Sequence, residues 1–374
     1  MTVPDRAFPL IESFEHQDDL FASAFTILQE AVSRRTFPAA SVAITEKDRL
    51  IALKAVGRFT YEADSSAVVP ATLFDLASLT KVVATTPVAM LLYQRGLLDL
   101  DAPVAAVLPE FTRDAEKDPR RHEVTIRMLL AHSSGLPAYE KLFLKARTRD
   151  ELLHAAFTMP LSADPGSRAE YSDIGFILLG VALERLADES LDLFCQREIF
   201  ASLGMASTAF KPPKEVRAQI PPTADDRSFR HRIIQGEVQD ENASVLGGVA
   251  SQAGVFSNAA DLARFAHAML YPENSVFRPE TIALFTRREL APPGTSRALG
   301  WDTPSGASQS GKYFGPASFG HLGYTGTSLW LDPEWRLSIT LLTNRTWPDG
   351  SNQAIKQIRP IFHDAVIEAI RKSK

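Results

Sequence analysis

The chain has one cysteine in 374 residues, Cys195, so no intrachain disulfide can form. Its neighbours Leu193, Phe194 and Phe200 predict a small buried apolar side chain rather than a reactive thiol. There is also no block of basic residues. The formal net charge of −5 comes from acidic and basic side chains mixed along the sequence, which leaves nothing to track a phosphate backbone and argues against nucleic acid as a partner. No window approaches the ~18 uninterrupted apolar residues of a membrane span. Met1 to Leu10 lack the basic start and apolar stretch of a secretory leader, which predicts a cytoplasmic protein, or a periplasmic or secreted one if a leader has been trimmed. A Gly-x-Ser-x-Gly elbow is missing, as are His-Glu-x-x-His, paired cysteines and a P-loop, so neither metal nor nucleotide cofactor is indicated. His122, His132 and His154 stand at spacings unlike a metal site and read as structural or surface residues.

What is present is ample apolar content, 45 %, in a chain long enough for two domains or one composite one. Leu20, Phe21, Ala24, Phe25, Leu28 and Val32 recur at helical spacing between Asp18 and Arg34. Ala40 to Thr45 and Leu50 to Val56 then read as a hairpin around Glu46-Lys47-Asp48-Arg49. Helical patterns fill the middle: Leu79 to Arg95 ending at Gly96, Thr125 to Ala131, Asp150 to Phe157, Ile174 to Asp188 and Asp261 to Leu270. Strand character returns at Thr327 to Leu331 and Leu337 to Leu342, and Asn352 to Arg371 closes the chain as a helix. The simplest architecture is α+β: one sheet built from both ends of the chain, with an all-helical domain inserted. Pro212-Pro213 and Pro221-Pro222 bracket a polar loop placed to cross between the two. Nothing in the sequence sets an oligomeric state.

Three clusters carry chemistry. In Ser78-Leu79-Thr80-Lys81 a spacing of three puts hydroxyl and amine on one helical face, about a turn apart. Lysine can take the serine proton if desolvation or a neighbouring charge lowers its pKa, and the helix N-terminus offers N–H groups to an oxyanion. The bland alternative is a capping serine and a solvated lysine. However, Ser78 is the only serine followed by lysine three positions on, and the apolar flanks Leu76-Ala77 and Val82-Val83-Ala84 favour a semi-buried amine. The second cluster, Pro165 to Asp173, is a turn running into a helix. Tyr171 would project from it as a proton relay or merely pack, and Asp173 is equally balanced between a helix cap and a functional carboxylate. The third, Gly320-His321-Leu322-Gly323-Tyr324-Thr325-Gly326-Thr327, leads into a strand. Its glycines mark a close approach to the backbone, by substrate or by the chain itself, and on its own it reads as an edge strand with His321 in an ordinary hydrogen bond.

With the three clusters in this order, the chain resembles the β-lactamase-related serine hydrolases: class C β-lactamases, penicillin-binding and D-alanyl-D-alanine carboxypeptidase relatives, and family VIII carboxylesterases. The likeness runs from about Phe37 to Asn344 and includes Phe74-Asp75-Leu76-Ala77, the segment Gly96 to Pro103, the segment Leu129 to Pro137, and the segment Gly254 to Leu262. It implies a β-lactamase-like fold with an antiparallel sheet flanked by terminal helices. Residues 1–76 and 255–374 would form the sheet domain and 77–254 a mainly helical one, with the site in the cleft between them. It further implies Ser78 as the acylated nucleophile, Lys81 as base or base partner, and Tyr171 as the tyrosine of Tyr-x-Asn. The N–H groups of Ser78 and Tyr324 would form the oxyanion hole. Hydrolysis would pass through an acyl-enzyme, without cofactor.

The departures bear on substrate. Where β-lactamases carry Lys-Thr-Gly this chain has His321-Leu322-Gly323, and the motif asparagine is Asp173. A histidine largely neutral near pH 7 and a leucine without donors replace two groups that bind a penicillin's carboxylate. Charge-assisted bonds of this kind are worth about 1.5–3 kcal/mol each. The expectation is a hydrolase of short acyl esters, its partner a small-molecule ester, with weak or absent β-lactamase activity. Rivals are a β-lactamase, a D-amino-acid peptidase or amidase, an acyltransferase, and a catalytically silent binding protein.

Overall fold

The computed structural model describes residues 10–113 and 116–374; the absence of a leader was read from Met1 to Leu10, nearly all of which lie outside them. Alternation along three strands places the sheet between two cores. In Ala39–Glu46, Ala40, Val42 and Ile44 face one core while Ala39 and Ala43 face the other. Leu337–Thr343 divides in the same way, Leu337, Ile339 and Leu341 opposing Leu342, and Ser328–Asp332 sends Trp330 one way and Leu329 and Leu331 the other. The six strands lie in the spatial order 11–12, 49–57, 39–46, 337–343, 328–332, 319–322. Every neighbouring pair is antiparallel except the outermost, Ile11–Glu12 beside Arg49–Gly57, which is parallel.

The two ends of the chain meet on one face. Phe21, Phe25 and Leu28, at and along the helix Ala22–Ser33, share a core with Phe362, Val366 and Ile370 of Ile355–Lys372 and with Trp330 of the sheet. Each such apolar side chain contributes roughly 1.5–3 kcal/mol through burial. The amphipathic helix Ala259–Leu270 covers the other face, and its core continues into the helices of the middle of the chain. Arg149–Phe157 and Asp173–Ala187 form within a residue or two of their periodic patterns. Cys195 is fully buried, and burial pushes its thiol pKa up. Among the described residues no helix is long and apolar enough to cross a membrane.

Two expectations need correction. The middle is mainly but not wholly helical: Ala209–Phe210 pairs with Val255–Ser257, and Ala224–Asp226 pairs with Arg232–Ile234. These pieces are too short for alternation to reveal them. The helix expected over Leu79 to Arg95 is a 3₁₀ turn at Ala77–Leu79, a widened π turn at Lys81–Thr85, and an α-helix only over Thr86–Gln94. Pro87 has no N–H for the Val83 carbonyl, which is where an α-turn would need one. At the end of the Pro-bracketed segment the Pro222 carbonyl accepts from Asn344 Nδ2 at 3.0 Å, just past the strand Leu337–Thr343.

Candidate active site

Ser78 follows a residue in unfavourable backbone. Ala77 has a φ of 48°, the left-handed region, which costs a non-glycine residue on the order of 1 kcal/mol. Asp75 holds it there, one carboxylate oxygen accepting the Ala77 N–H at 2.8 Å while the other accepts the Gln239 N–H at 2.7 Å. The same buried carboxylate therefore anchors the nucleophile turn and a separate loop. Burial pushes the Asp75 pKa up to about 6, against the pull of the two N–H groups and of Arg230.

The π turn brings Lys81 back beneath Ser78. Its Nζ is fully buried and donates to Ser78 Oγ at 3.2 Å and to the Gln252 carbonyl at 3.0 Å. It also forms an ion pair with Asp173 Oδ1 at 2.7 Å. Tyr171 donates to Ser78 Oγ at 2.8 Å, so the serine oxygen sits between phenol and amine. Sequence reasoning asked for a lysine with a lowered pKa; the structure has the reverse. Burial alone would lower it, but the carboxylate of Asp173, and Tyr171 after it, turn the net shift upward. The Tyr171 phenol is pushed up to about 12, by burial first and Asp173 second, against the nearby ammonium of Lys81. At rest the trio is thus an ammonium, a neutral phenol and a serine hydroxyl.

Asp173 is not the helix cap. Ser172 is, its hydroxyl accepting the Gly175 N–H at 2.9 Å, which frees the carboxylate of Asp173 in the first turn to face Lys81. His132 Nδ1 accepts the Ser172 N–H at 3.0 Å, and its ring lies 4.7 Å from that of Tyr171. This buried histidine, neutral because burial and nearby cations push its pKa well down, fixes the approach of Tyr171 rather than a metal. His122 and His154 are exposed.

His321 and Leu322 end the edge strand Phe319–Leu322. His321 Nδ1 donates to the Leu322 carbonyl at 2.8 Å, leaving Nε2 as a buried acceptor without a partner among the described residues. Burial first, then Lys81 and Arg297, push its pKa well down, so this position presents a lone pair and no charge. The close approach signalled by the glycines is by the chain itself: a Cβ on Gly323 would lie 2.5 Å from the Leu76 carbonyl and one on Gly320 2.3 Å from the Trp330 ring. Thr325 and Thr327 donate to the Asp75 and Leu76 carbonyls at 2.8 and 3.0 Å, tying this turn to the nucleophile's. Arg359 donates to the Gly323 carbonyl at 2.7 Å, and in a trans peptide the Tyr324 N–H points the opposite way.

Ser78, Tyr171, Asp173, His321, Leu322, Gly323 and Tyr324 line one cavity of about 770 Å³, with Lys81 beneath it. Sequence reasoning missed Arg297, Asp240 and Gln252, which line the same cavity from segments with no spacing relation to the motifs. The Arg297 guanidinium lies 5.5 Å over the Tyr171 ring and 3.7 Å from Asp302.

Residues 24–359 match the family described as Beta-lactamase. The chain belongs to the Beta-lactamase family. It is 34 % identical over 345 residues to N-acetylmuramyl-L-alanine amidase of Bacillus subtilis (strain 168), covering 83 % of this chain and 77 % of that protein. It is 31 % identical over 303 residues to a putative D-alanyl-D-alanine carboxypeptidase of Escherichia coli (strain K12), covering 73 % and 69 %. Its fold is similar to that of EstCE1, a hydrolase with promiscuous acyltransferase activity, with a TM-score of 0.76, 21 % identity, and coverage of 94 % of this chain and 99 % of that one. The sheet and helices described above are thus the β-lactamase-like α+β fold, and this Beta-lactamase family member is related to serine hydrolases of several specificities.

Proposed function

We propose that the chain is a serine hydrolase of small acyl esters, working through an acyl-enzyme on Ser78 in a cleft between a sheet unit (1–76, 255–374) and a mainly helical unit (77–254). The observation that carries this is Ser78 Oγ within hydrogen-bond reach of both Lys81 Nζ and Tyr171 OH at the floor of a cavity. Ser78 Oγ attacks the acyl carbon, its proton leaves along Tyr171 and Lys81, and the alcohol departs with a proton returned by the same path. Water then repeats the sequence on the acyl-enzyme. The N–H groups of Ser78 and Tyr324 receive the oxyanion. Because Lys81 rests as an ammonium and Tyr171 as a phenol, the competent form has one proton fewer and grows in as pH rises. Asp173 stabilises the cation on Lys81 as it takes up the serine proton, a role its asparagine counterpart lacks the charge for.

The preference for esters rests on the lone pair of His321 Nε2 and the apolar side chain of Leu322, where a carboxylate-binding lysine and threonine would stand. One observation favours a second reading, an amidase or carboxypeptidase. Arg297 brings a guanidinium into the cavity, and the relatives named above carry those activities in their names. A panel of p-nitrophenyl esters, a chromogenic cephalosporin and a D-alanyl-D-alanine peptide separates them. Ester turnover should dominate; faster turnover of peptide or cephalosporin would reverse the order.

A further inference from the structure

One wall of the cavity holds a carboxylate beside an amide oxygen that nothing among the described residues satisfies. Asp240, in the segment entering the helix Glu241–Val245, accepts the Ala243 N–H at 2.6 Å and Gln252 Nε2 at 3.3 Å through Oδ1. Among the described residues neither Asp240 nor the adjoining Glu241 has an ion-pair partner, although both line the cavity. Gln252 is 1 % exposed, lines the same cavity, and its Oε1 has no hydrogen-bond partner among the described residues. With its amide nitrogen turned to Asp240, that oxygen is left as a buried acceptor, and a buried acceptor without a donor is costly.

We infer that Asp240 and Gln252 form a subsite for a primary ammonium group, so that the preferred substrates are esters carrying one, amino-acyl esters being the simplest. This rests on the ester-hydrolase reading. An ammonium has three donors and no acceptor, which matches a wall offering carboxylate and amide oxygens. A neutral acyl chain would leave the Gln252 oxygen without a donor, and an anionic group beside it would meet Asp240 and the adjoining Glu241. The charged and titratable groups bearing on Asp240 are Asp173 and Glu241, which hold its proton on, Lys81, which opposes them, and the phenol of Tyr139. Burial first and Asp173 second push the Asp240 carboxyl up to about 7, so the subsite gains its charge as pH rises through neutrality.

Binding without turnover tests this independently of catalysis. In the Ser78→Ala protein, calorimetry compares β-alanine ethyl ester, whose amine is protonated at pH 8, with ethyl propionate, which differs by that amine. The ammonium ester should bind about tenfold or more tightly at pH 8, a margin in the range of one charge-assisted contact. The margin should shrink at pH 6, and Asp240→Asn should abolish it; asparagine still caps the following helix, so the fold is retained. Equal affinities at pH 8, a margin that does not fall at pH 6, or a margin that survives Asp240→Asn would each overturn the subsite. Failure of the native enzyme to turn over p-nitrophenyl esters would instead count against the ester reading.

Discussion

Lys81 has no exposed surface, and a buried ammonium persists only where an anion compensates it. Asp173 is that anion, at 2.7 Å. Because its carboxylate raises the Lys81 pKa, the deprotonated form needed to accept the serine proton appears only toward alkaline pH, and kcat/KM should climb from pH 7 to pH 10. Asp173→Asn removes the anion, so the Lys81 pKa falls and the rising limb should move at least about one pH unit toward acid, the range of effect of one adjacent opposite charge. A pH–rate profile of the two proteins checks this; superimposable limbs would remove Asp173 from the proton path. The spacing of Ser78 and Lys81 was legible in the sequence because three residues in one turn meet whatever the rest of the chain does. Arg297, Asp240 and Gln252 were not, since only the tertiary arrangement of distant segments brings them to one cavity.

The element that matters most for the site is the turn Asp75 to Ser78, and it is irregular. Helical periodicity located Asp173–Ala187 and Ala259–Leu270 to within a few residues, but set the start of Thr86–Gln94 seven residues too early. It could not show the positive φ of Ala77 or the π turn after Thr80, which depend on the Asp75 carboxylate and on the missing N–H of Pro87. Asp75→Asn keeps the size but turns one acceptor into a donor facing an N–H, at Ala77 or at Gln239. A buried N–H left unpaired costs about 1–3 kcal/mol, so chemical denaturation should show a loss of that order. The same variant should lower kcat as the nucleophile turn relaxes. An unchanged unfolding midpoint together with unchanged kcat would show that Asp75 does not hold this turn.

At the scale of the whole molecule, the C-terminal helix reaches the candidate oxyanion turn. Arg359 is buried in Ile355–Lys372 and donates to the carbonyls of Gly323 and Thr327 at 2.7 and 3.0 Å. Burial first, then neighbouring Arg345, pull its pKa down to about 9, and its hydrogen bonds go mainly to carbonyls. Arg359→Met keeps the apolar stem and removes those donors. The expected result is a kcat lower by about 10- to 100-fold with KM little changed, because an oxyanion donor acts in the transition state. A rise confined to KM would place the turn in substrate binding instead. The sheet formed from both chain ends was legible because the short Val-, Ile- and Leu-rich runs set around turn residues, Ala40 to Thr45 with Leu50 to Val56 and Thr327 to Leu331 with Leu337 to Leu342, stand toward the two ends with helical patterns between them. The short strand pieces of the middle were not, because two or three residues show no period.

The central claim, that Ser78 is acylated, is tested most directly by intact-protein mass spectrometry after brief incubation with a p-nitrophenyl ester. The native protein should gain the mass of one acyl group, located to Ser78 by peptide mapping and lost in Ser78→Ala. An adduct on another residue, or one that persists in Ser78→Ala, would contradict it.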